Sequence, residues 1–299
     1  MNKLIVITGT NASGKSGLGV KLAKRFAGEI VSADSRQVFC GLDLGSGKIT
    51  EEEKQGIPHY LIDVANPNDF FSLKDYQKLA YEAIDDIASR GVNAFLVGGT
   101  GLYINCVADG YNLTDASPDL KLRAKIEAMT REEIIKELEK IDPAALSRVD
   151  ILNKRRLERA YEKSIAGYGA DKESHPRYEV LEIGVTWPRE VLYERIRERL
   201  DRRLDEGMIK EVENLRANGA TDEFLYKLGL EYRYILMYLR GEFADYNDFY
   251  NKLFMEIRHL AKEQMTWFRK RKNIHWIDMQ GNPEAEAVVL IEEFLGMHQ

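Results

Sequence analysis

The stretch GTNASGKS, Gly9 to Ser16, constrains the fold more than any other part of this chain. It is preceded by KLIVITG (Lys3 to Gly9), a β-branched run with the pattern of a buried strand. It is followed by SGLGVKLAKRF (Ser16 to Phe26), in which Leu18, Leu22 and Phe26 recur at helical spacing. A glycine loop that joins a buried strand directly to a helix belongs to a sheet whose strands run parallel.

The rest of the chain repeats the alternation. GEIVSAD brings a second strand to Asp34, and PHYLIDV (Pro58 to Val64) predicts a third. LKDYQKLAYEAIDDIASRG predicts a helix closing at Gly91, and NAFLVGGTG (Asn93 to Gly101) a strand running into a glycine turn. From about Ser117 to Ile165 the sequence is charged, helical in pattern and short of strand signals. YEVLEIGVTW (Tyr178 to Trp187) then returns to strand, a long basic helix is expected from Arg189 to about Arg216, and NIHWIDM (Asn273 to Met279) reads as a last strand. The fold class expected is α/β, a P-loop NTPase-like three-layer parallel sheet with a small all-helical insertion domain. The expected division is 1–116 for the first part of the core, 117–166 for the insertion, and 167–299 for the return to the core and the C-terminal helices. GYGADKESHP (Gly167 to Pro176) is a candidate mobile loop. In open parallel sheets ligands bind beyond the carboxyl ends of the strands, so Gly9–Ser16, Asp34 and Gly98–Gly101 are expected to converge.

Composition removes several classes of function. A content of 44% hydrophobic and 31% charged residues is ordinary for a soluble globular protein. No apolar run is long enough to cross a bilayer, and the first residues carry no cleavable leader pattern, so a mature cytoplasmic protein without membrane contact is expected. Cys40 and Cys106 are the only cysteines and the five histidines are scattered, which leaves no disulfide framework and no zinc-ligand spacing. The formal charge of −6 argues against indiscriminate nucleic-acid binding, although the cations are clustered.

The loop fits G-x-x-x-x-G-K-[ST]. Glycines let the backbone curl its N–H groups around an anion, and the helix that follows adds the positive end of its dipole. The diphosphate-binding candidates are therefore Gly9, Thr10, Asn11, Ala12, Ser13, Gly14, Lys15 and Ser16. Lys15 brings a full charge to the outer phosphates, and the Ser16 hydroxyl is the candidate ligand for Mg²⁺. The motif identifies a di- or triphosphate without saying that a phosphate is transferred. Asp34, at a strand end, is either a metal ligand or base or a turn aspartate capping a helix start.

Several separated segments together resemble one family, the tRNA dimethylallyltransferases (tRNA isopentenyltransferases) of bacterial type. They are GTNASGKS, SADSRQVFCGLDLGSGK (Ser32 to Lys48), GIPHYLIDV (Gly56 to Val64) and VGGTGLY (Val97 to Tyr103). NKRRLERAYE (Asn153 to Glu162), RIRERLDRRLDEGMIKEV (Arg195 to Val212) and AKEQMTWFRK (Ala261 to Lys270) continue the series, in the family's order over nearly the whole chain. The resemblance implies that the loop holds the pyrophosphate of dimethylallyl diphosphate. It implies that N6 of adenosine 37, in a tRNA anticodon loop, attacks the allylic C1 and that pyrophosphate leaves. Asp34 matches the family aspartate that orients the amine and accepts its proton. Thr100 matches the threonine on the leaving side of the diphosphate. Arg199, with Arg195 one turn earlier as second choice, matches an arginine supplied by the helix after the insertion. With Lys15 these are the expected catalytic residues. The target base must be flipped out of its stack; Asp34, Ser35, Arg36 and Gln37 match the segment that receives it, and Gln37 is favoured as a reader of a base edge.

The same resemblance sets Lys154, Arg155, Arg156 and Arg159 of the insertion against tRNA phosphates. Arg202 and Arg203, and the run Arg269, Lys270, Arg271 and Lys272, are further basic clusters. Tyr103, Trp267 and Phe268 are candidates to stack on a base or a prenyl group, with core the expected place for Trp267 and Phe268. His59 is expected to be structural. Two positions depart from the family pattern: Thr10-Asn11 stands where Pro-Thr is usual, and KLGLEYR (Lys227 to Arg233) has Leu230 where Tyr is usual. The expected partners are the tRNA anticodon stem-loop and dimethylallyl diphosphate, the cofactor Mg²⁺, and the state a monomer. The alternatives are prenylation of free adenine nucleotides, which needs no basic insertion, a P-loop small-molecule kinase, which would turn over ATP, and a non-catalytic RNA-binding module.

Overall fold

The computed structural model describes residues 1–113, 119–166 and 174–297. Most of the expected mobile loop, from Gly167 onward, lies outside them. In chain order the first elements are β1 (Asn2–Gly9), α1 (Lys15–Arg25), β2 (Gly28–Ala33), α2 (Glu51–Lys54), β3 (His59–Tyr60), α3 (Leu73–Ser89), β4 (Asn93–Gly98) and α4 (Gly101–Ala108). Four helices follow: α5 (Leu120–Ala128), α6 (Arg131–Ile141), α7 (Pro143–Arg148) and α8 (Lys154–Ile165). The chain closes with β5 (Tyr178–Thr186), α9 (Arg189–Asp205), α10 (Met208–Ala217), α11 (Asp222–Leu228), α12 (Leu230–Leu239), α13 (Tyr246–Phe268), β6 (Ile274–Asp278) and α14 (Pro283–Leu295). Among the described residues no helix is long and apolar enough to cross a membrane. Two compact units are present, Met1–Gly110 with Pro176–Gln299, and Tyr111–His175.

The larger unit is built on one six-stranded sheet, all parallel, in the order β3-β2-β4-β1-β5-β6. From β1 the chain moves to β2 on one side, on to β3 at the sheet edge, and then back to β4. Right-handed crossovers in opposite directions put α1 and α3 on opposite faces. On one face Ile5, Ile7, Phe95, Val97, Leu181 and Ile183 pack with Leu18 and Leu22 of α1 and Ala287 and Ile291 of α14. Alternate strand residues, such as Leu4 and Val6, point the other way, where α3, α4 and α13 cover the sheet. The alternation gives the three layers expected of an α/β P-loop fold.

Two expectations change. The third strand shrinks to His59–Tyr60 because Leu61 and Asp63 take left-handed φ of 64° and 55°, which ends extended pairing. The expected long basic helix is two helices, α9 and α10, broken at Gly207 with φ of 102°. In the smaller unit, Ile126, Ile134, Leu138, Ala145 and Leu157 form a separate core. The N-caps Asp119, Thr130, Asp142 and Asn153 start its four helices.

Candidate active site

β1 hands the chain to the phosphate loop, and two backbone features set that loop's curl. Ala12 and Gly14 both have left-handed φ, of 59° and 87°, and such reversals form concave nests of N–H groups. Donors elsewhere hold the loop's carbonyls. The Trp187 indole N–H donates to Ser13 O at 2.9 Å, and Arg195 Nε donates to Ala12 O at 3.0 Å. The Arg195 guanidinium also lies over the Trp187 ring, 4.6 Å from its centre. Arg195 is therefore a brace of the loop. Arg199, one turn on, lines the cavity beyond the strand ends, and Arg195 is not among the lining residues.

β2 and β4 deliver the other polar groups. They are paired up to Ala33 and Gly98. A Cβ at Gly98 would sit 2.1 Å from Ala33 O, so only glycine permits the approach. Thr100 N donates to Ala33 O at 3.0 Å, and Thr100 Oγ1 accepts the Ser35 N–H at 3.0 Å. Asp34 Oδ1 accepts the N–H groups of Arg36 and Gln37 at 2.9 and 3.4 Å. The turn-capping role is thus carried by one oxygen; Oδ2 has no hydrogen bond among the described residues. The Gln37 amide donates to Gly47 O at 3.1 Å and accepts from Ser32 Oγ at 3.4 Å, leaving one further position at each end.

The cavity has a volume of about 320 Å³. It brings together Asn11, Lys15, Ser16, Asp34, Ser35, Arg36, Gln37, Thr100 and Arg199 of the residues singled out from sequence. Thr10 and Ser13 are buried within the loop itself. Apolar side chains of Val97, Leu230, Leu260, Trp267 and Phe268 share the lining. Trp267, expected in the core, is instead a half-buried wall, and a Cβ on Gly101 would lie 2.3 Å from its indole. Phe268 is fully buried, and Tyr103 is buried and stacked on Tyr76 at 3.7 Å, so Tyr103 is not a stacking platform. Leu230 enters the wall with a left-handed φ of 39°, strained for a non-glycine residue. His59 lies on β3 with Nδ1 2.8 Å from Ile57 O.

Buried cations gather beside the phosphate loop, although Asp34, Glu231 and Glu263 also line the cavity. Burial, and then Arg199, push Lys15 down to about 8, although Asp34 opposes them. Burial and Arg203 push Arg199 down to about 9. Arg203, expected on a basic surface, is buried and lies 4.0 Å from buried Glu231. Cations crowded this far from water favour an anion between them. Asn11 Oδ1 and Ser13 Oγ are buried without a hydrogen-bond partner among the described residues. No cluster of three acidic, histidine or cysteine side chains is present among the described residues. Mg²⁺ commonly keeps waters and substrate phosphates and takes only one or two protein groups. The Ser16 hydroxyl, on the same cavity as Asp34, fits that pattern.

Two devices of the site escaped the sequence. The Glu211 carboxylate accepts the N–H groups of Asp43, Leu44 and Gly45 at 3.0, 2.6 and 3.0 Å, and Tyr232 OH donates to it at 3.0 Å. This latch holds Gly45–Gly47 at the cavity wall. Gln264 spans from the phosphate loop to Gly99. Partners so distant in sequence leave no local signal, apart from the glycines that make room for them.

The other basic clusters are more paired than expected. Arg271 is bonded to Glu182 and Asp109, each at 2.7 Å, and is no free cation. On α8, Lys154, Arg155 and Arg156 are exposed. Lys154 lies 3.5 Å from Glu158 and Arg156 3.9 Å from Asp150, and Arg159 pairs with Glu162.

A family model described as IPP transferase matches residues 37–271. A Citrifermentans bemidjiense protein named tRNA dimethylallyltransferase 2 is 44% identical over 293 residues, 96% of this chain and 94% of that one. An Acetivibrio thermocellus protein named tRNA dimethylallyltransferase is 39% identical, covering 97% and 96%. Among solved structures, the full-length tRNA isopentenylpyrophosphate transferase of Bacillus halodurans superposes with a TM-score of 0.75 at 36% identity, over 100% of both chains. A eukaryotic dimethylallyltransferase acting on tRNA has a TM-score of 0.84 over 100% of this chain and 81% of that one. At 22% identity, that likeness is one of fold.

Proposed function

The chain belongs to the IPP transferase family, and from that membership we propose that it transfers a dimethylallyl group from dimethylallyl diphosphate to N6 of adenosine 37 in tRNA. The observation that carries this reading is one cavity holding a cationic anion seat, a carboxylate with a free oxygen, and apolar walls. A C5 diphosphate asks for the first and third of these, and a weakly nucleophilic exocyclic amine asks for the second.

The diphosphate sits on the loop N–H groups, Lys15 and Arg199, while the prenyl chain lies along apolar wall. Asp34 Oδ2 orients the amine. As the N6 lone pair forms its bond to C1, the C1–O bond breaks and the electron pair leaves with pyrophosphate. The amine proton passes to Asp34. Lys15, Arg199 and the Thr100 hydroxyl stabilise the charge that grows on the leaving oxygen. Ser16 would hold Mg²⁺, which supplies further neutralisation of the diphosphate. The exposed cations Lys154, Arg155 and Arg156 suit RNA phosphates, and with Arg159 they make residues 117–166 the proposed tRNA-contacting insertion, acting in a monomer.

The test is a mass assay. Purified protein is incubated with Mg²⁺, dimethylallyl diphosphate and either unmodified tRNA with A36–A37 or AMP, and the nucleosides are weighed. A five-carbon gain on tRNA adenosine alone is expected, and Asp34→Asn should bind tRNA but lose most of the rate. A gain on AMP alone, or ATP consumption instead, refutes the reading.

A further inference from the structure

The Gln264 side chain bridges two loops that meet only at the site. Its Oε1 accepts the Asn11 N–H at 2.8 Å, and its Nε2 donates to Gly99 O at 2.9 Å. A neutral primary amide supplies an acceptor and a donor side by side, so one side chain fixes the phosphate loop against the β4–α4 turn. The surroundings are fitted to it. A Cβ on Gly99 would fall 2.9 Å from Gln264 Nε2 and 3.3 Å from Lys15 Cε. Three residues along α13, on the same helix face, Trp267 occupies the space that a Cβ on Gly101 would need. Gln264 and Trp267 thus bracket Thr100 from both sides. The bridge also consumes the Asn11 N–H, so the loop's first turn is oriented by protein, and the anion is left to N–H groups further along.

We propose that Gln264 is a positioning residue for the transfer, setting the separation between the diphosphate seat on the phosphate loop and Thr100 on the facing turn. The inference deepens the function proposed above and rests on it. Reacting groups must stand within a few tenths of an ångström of their productive geometry, and a slip of about 1 Å costs on the order of 100-fold in rate.

The experiment compares wild type, Gln264→Leu and Gln264→Glu. Gln264→Leu keeps the volume and removes both hydrogen bonds. Its kcat should fall about 30- to 100-fold, with KM for tRNA within a factor of about two. Gln264→Glu still accepts from Asn11 when ionised but sets a carboxylate against Gly99 O. When protonated it regains a donor. Its rate relative to wild type should therefore climb as pH is lowered from 8 to 5. Wild-type kinetics for Gln264→Leu would overturn the inference. So would a Gln264→Glu ratio that is flat with pH, the mark of a packing role alone. Calorimetric titration with pyrophosphate reads the seat even if no prenyl group is transferred: affinity about tenfold weaker in Gln264→Leu is expected, and equal affinity overturns the inference. Wild-type protein that binds pyrophosphate but prenylates neither tRNA nor AMP would instead remove the proposed function.

Discussion

Replacing Arg271 by alanine should unfold this protein more readily without weakening its hold on RNA. Arg271 lies between Glu182 on β5 and Asp109 at the end of α4, 2.7 Å from each. Glu182 is 3% exposed and its second oxygen has no hydrogen-bond partner among the described residues. Removing the guanidinium strands a carboxylate beside the central strand β1. Breaking a buried pair from one side costs about 3–5 kcal/mol; because Asp109 is a third exposed and counts for little, about 3 kcal/mol is expected. That corresponds to a fall in Tm of about 6–12 °C. The loss must depend on pH. Burial raises the Glu182 carboxyl above the ordinary range even with Arg271 present, and Arg271 opposes the rise. Without Arg271 it rises further, so the folded variant holds a proton that the unfolded chain releases. A group shifted upward stabilises below its unfolded value and loses that contribution as pH rises through its folded value. The variant should therefore sit close to wild type at pH 5 and far below it at pH 8. Urea titrations at the two pH values, with tRNA affinity measured on the folded fraction, test this. A deficit under about 1 kcal/mol at pH 8, or equal deficits at both pH values, would refute the buried-pair argument; a large loss of tRNA affinity would return Arg271 to the RNA surface.

Other outcomes can be stated briefly. Lys15, lowered to about 8, is about half neutral at pH 8, against roughly 0.3% for an ordinary lysine. Peptide mapping after brief acylation at pH 8 should find it labelled ahead of other lysines and protected by pyrophosphate; labelling no faster than theirs would contradict the lowering by burial and by Arg199. Arg199→Met should lower kcat about 100-fold, as loss of a charge stabiliser does, while Arg195→Met, which frees Ala12 O and the Trp187 face, should act mainly by raising KM for the diphosphate about 3- to 10-fold. The reverse ranking in steady-state kinetics would exchange their roles. Gly101→Ala should push the Trp267 indole off the cavity wall, visible as a red-shifted tryptophan emission and a KM for dimethylallyl diphosphate raised several-fold.

The parts of this molecule that the sequence reveals are those held by chain continuity. The phosphate loop starts at the end of β1, and Asp34 and Thr100 follow the ends of β2 and β4 within two residues, so recognising the strands predicts their convergence. Arg199 comes from the family resemblance of its segment, with Arg195 one turn away as the other choice. Residues that act across the fold were hidden. Glu211 looks like any helical glutamate until its carboxylate meets the N–H groups of Asp43, Leu44 and Gly45. Arg203 and Arg271 look like surface cations until burial supplies them with Glu231 and Glu182. The short β3 failed for a different reason, since Leu61 and Asp63 take a backbone conformation that their side chains do not announce.

The sheet order also dictates a timetable for synthesis. β1, made before either of its neighbours, lies between β4 and β5, and β5 spans Tyr178–Thr186. Until that stretch leaves the ribosome, one whole edge of β1, including Ile5 and Ile7, has no strand to pair with. The nascent chain carries this adhesive edge while α1 to α8 are being made. The bridge across the phosphate loop arrives later still, because Gln264 stands on α13, which follows β5. A nascent chain that already displays the full phosphate motif is thus without its bridge until α13 is made.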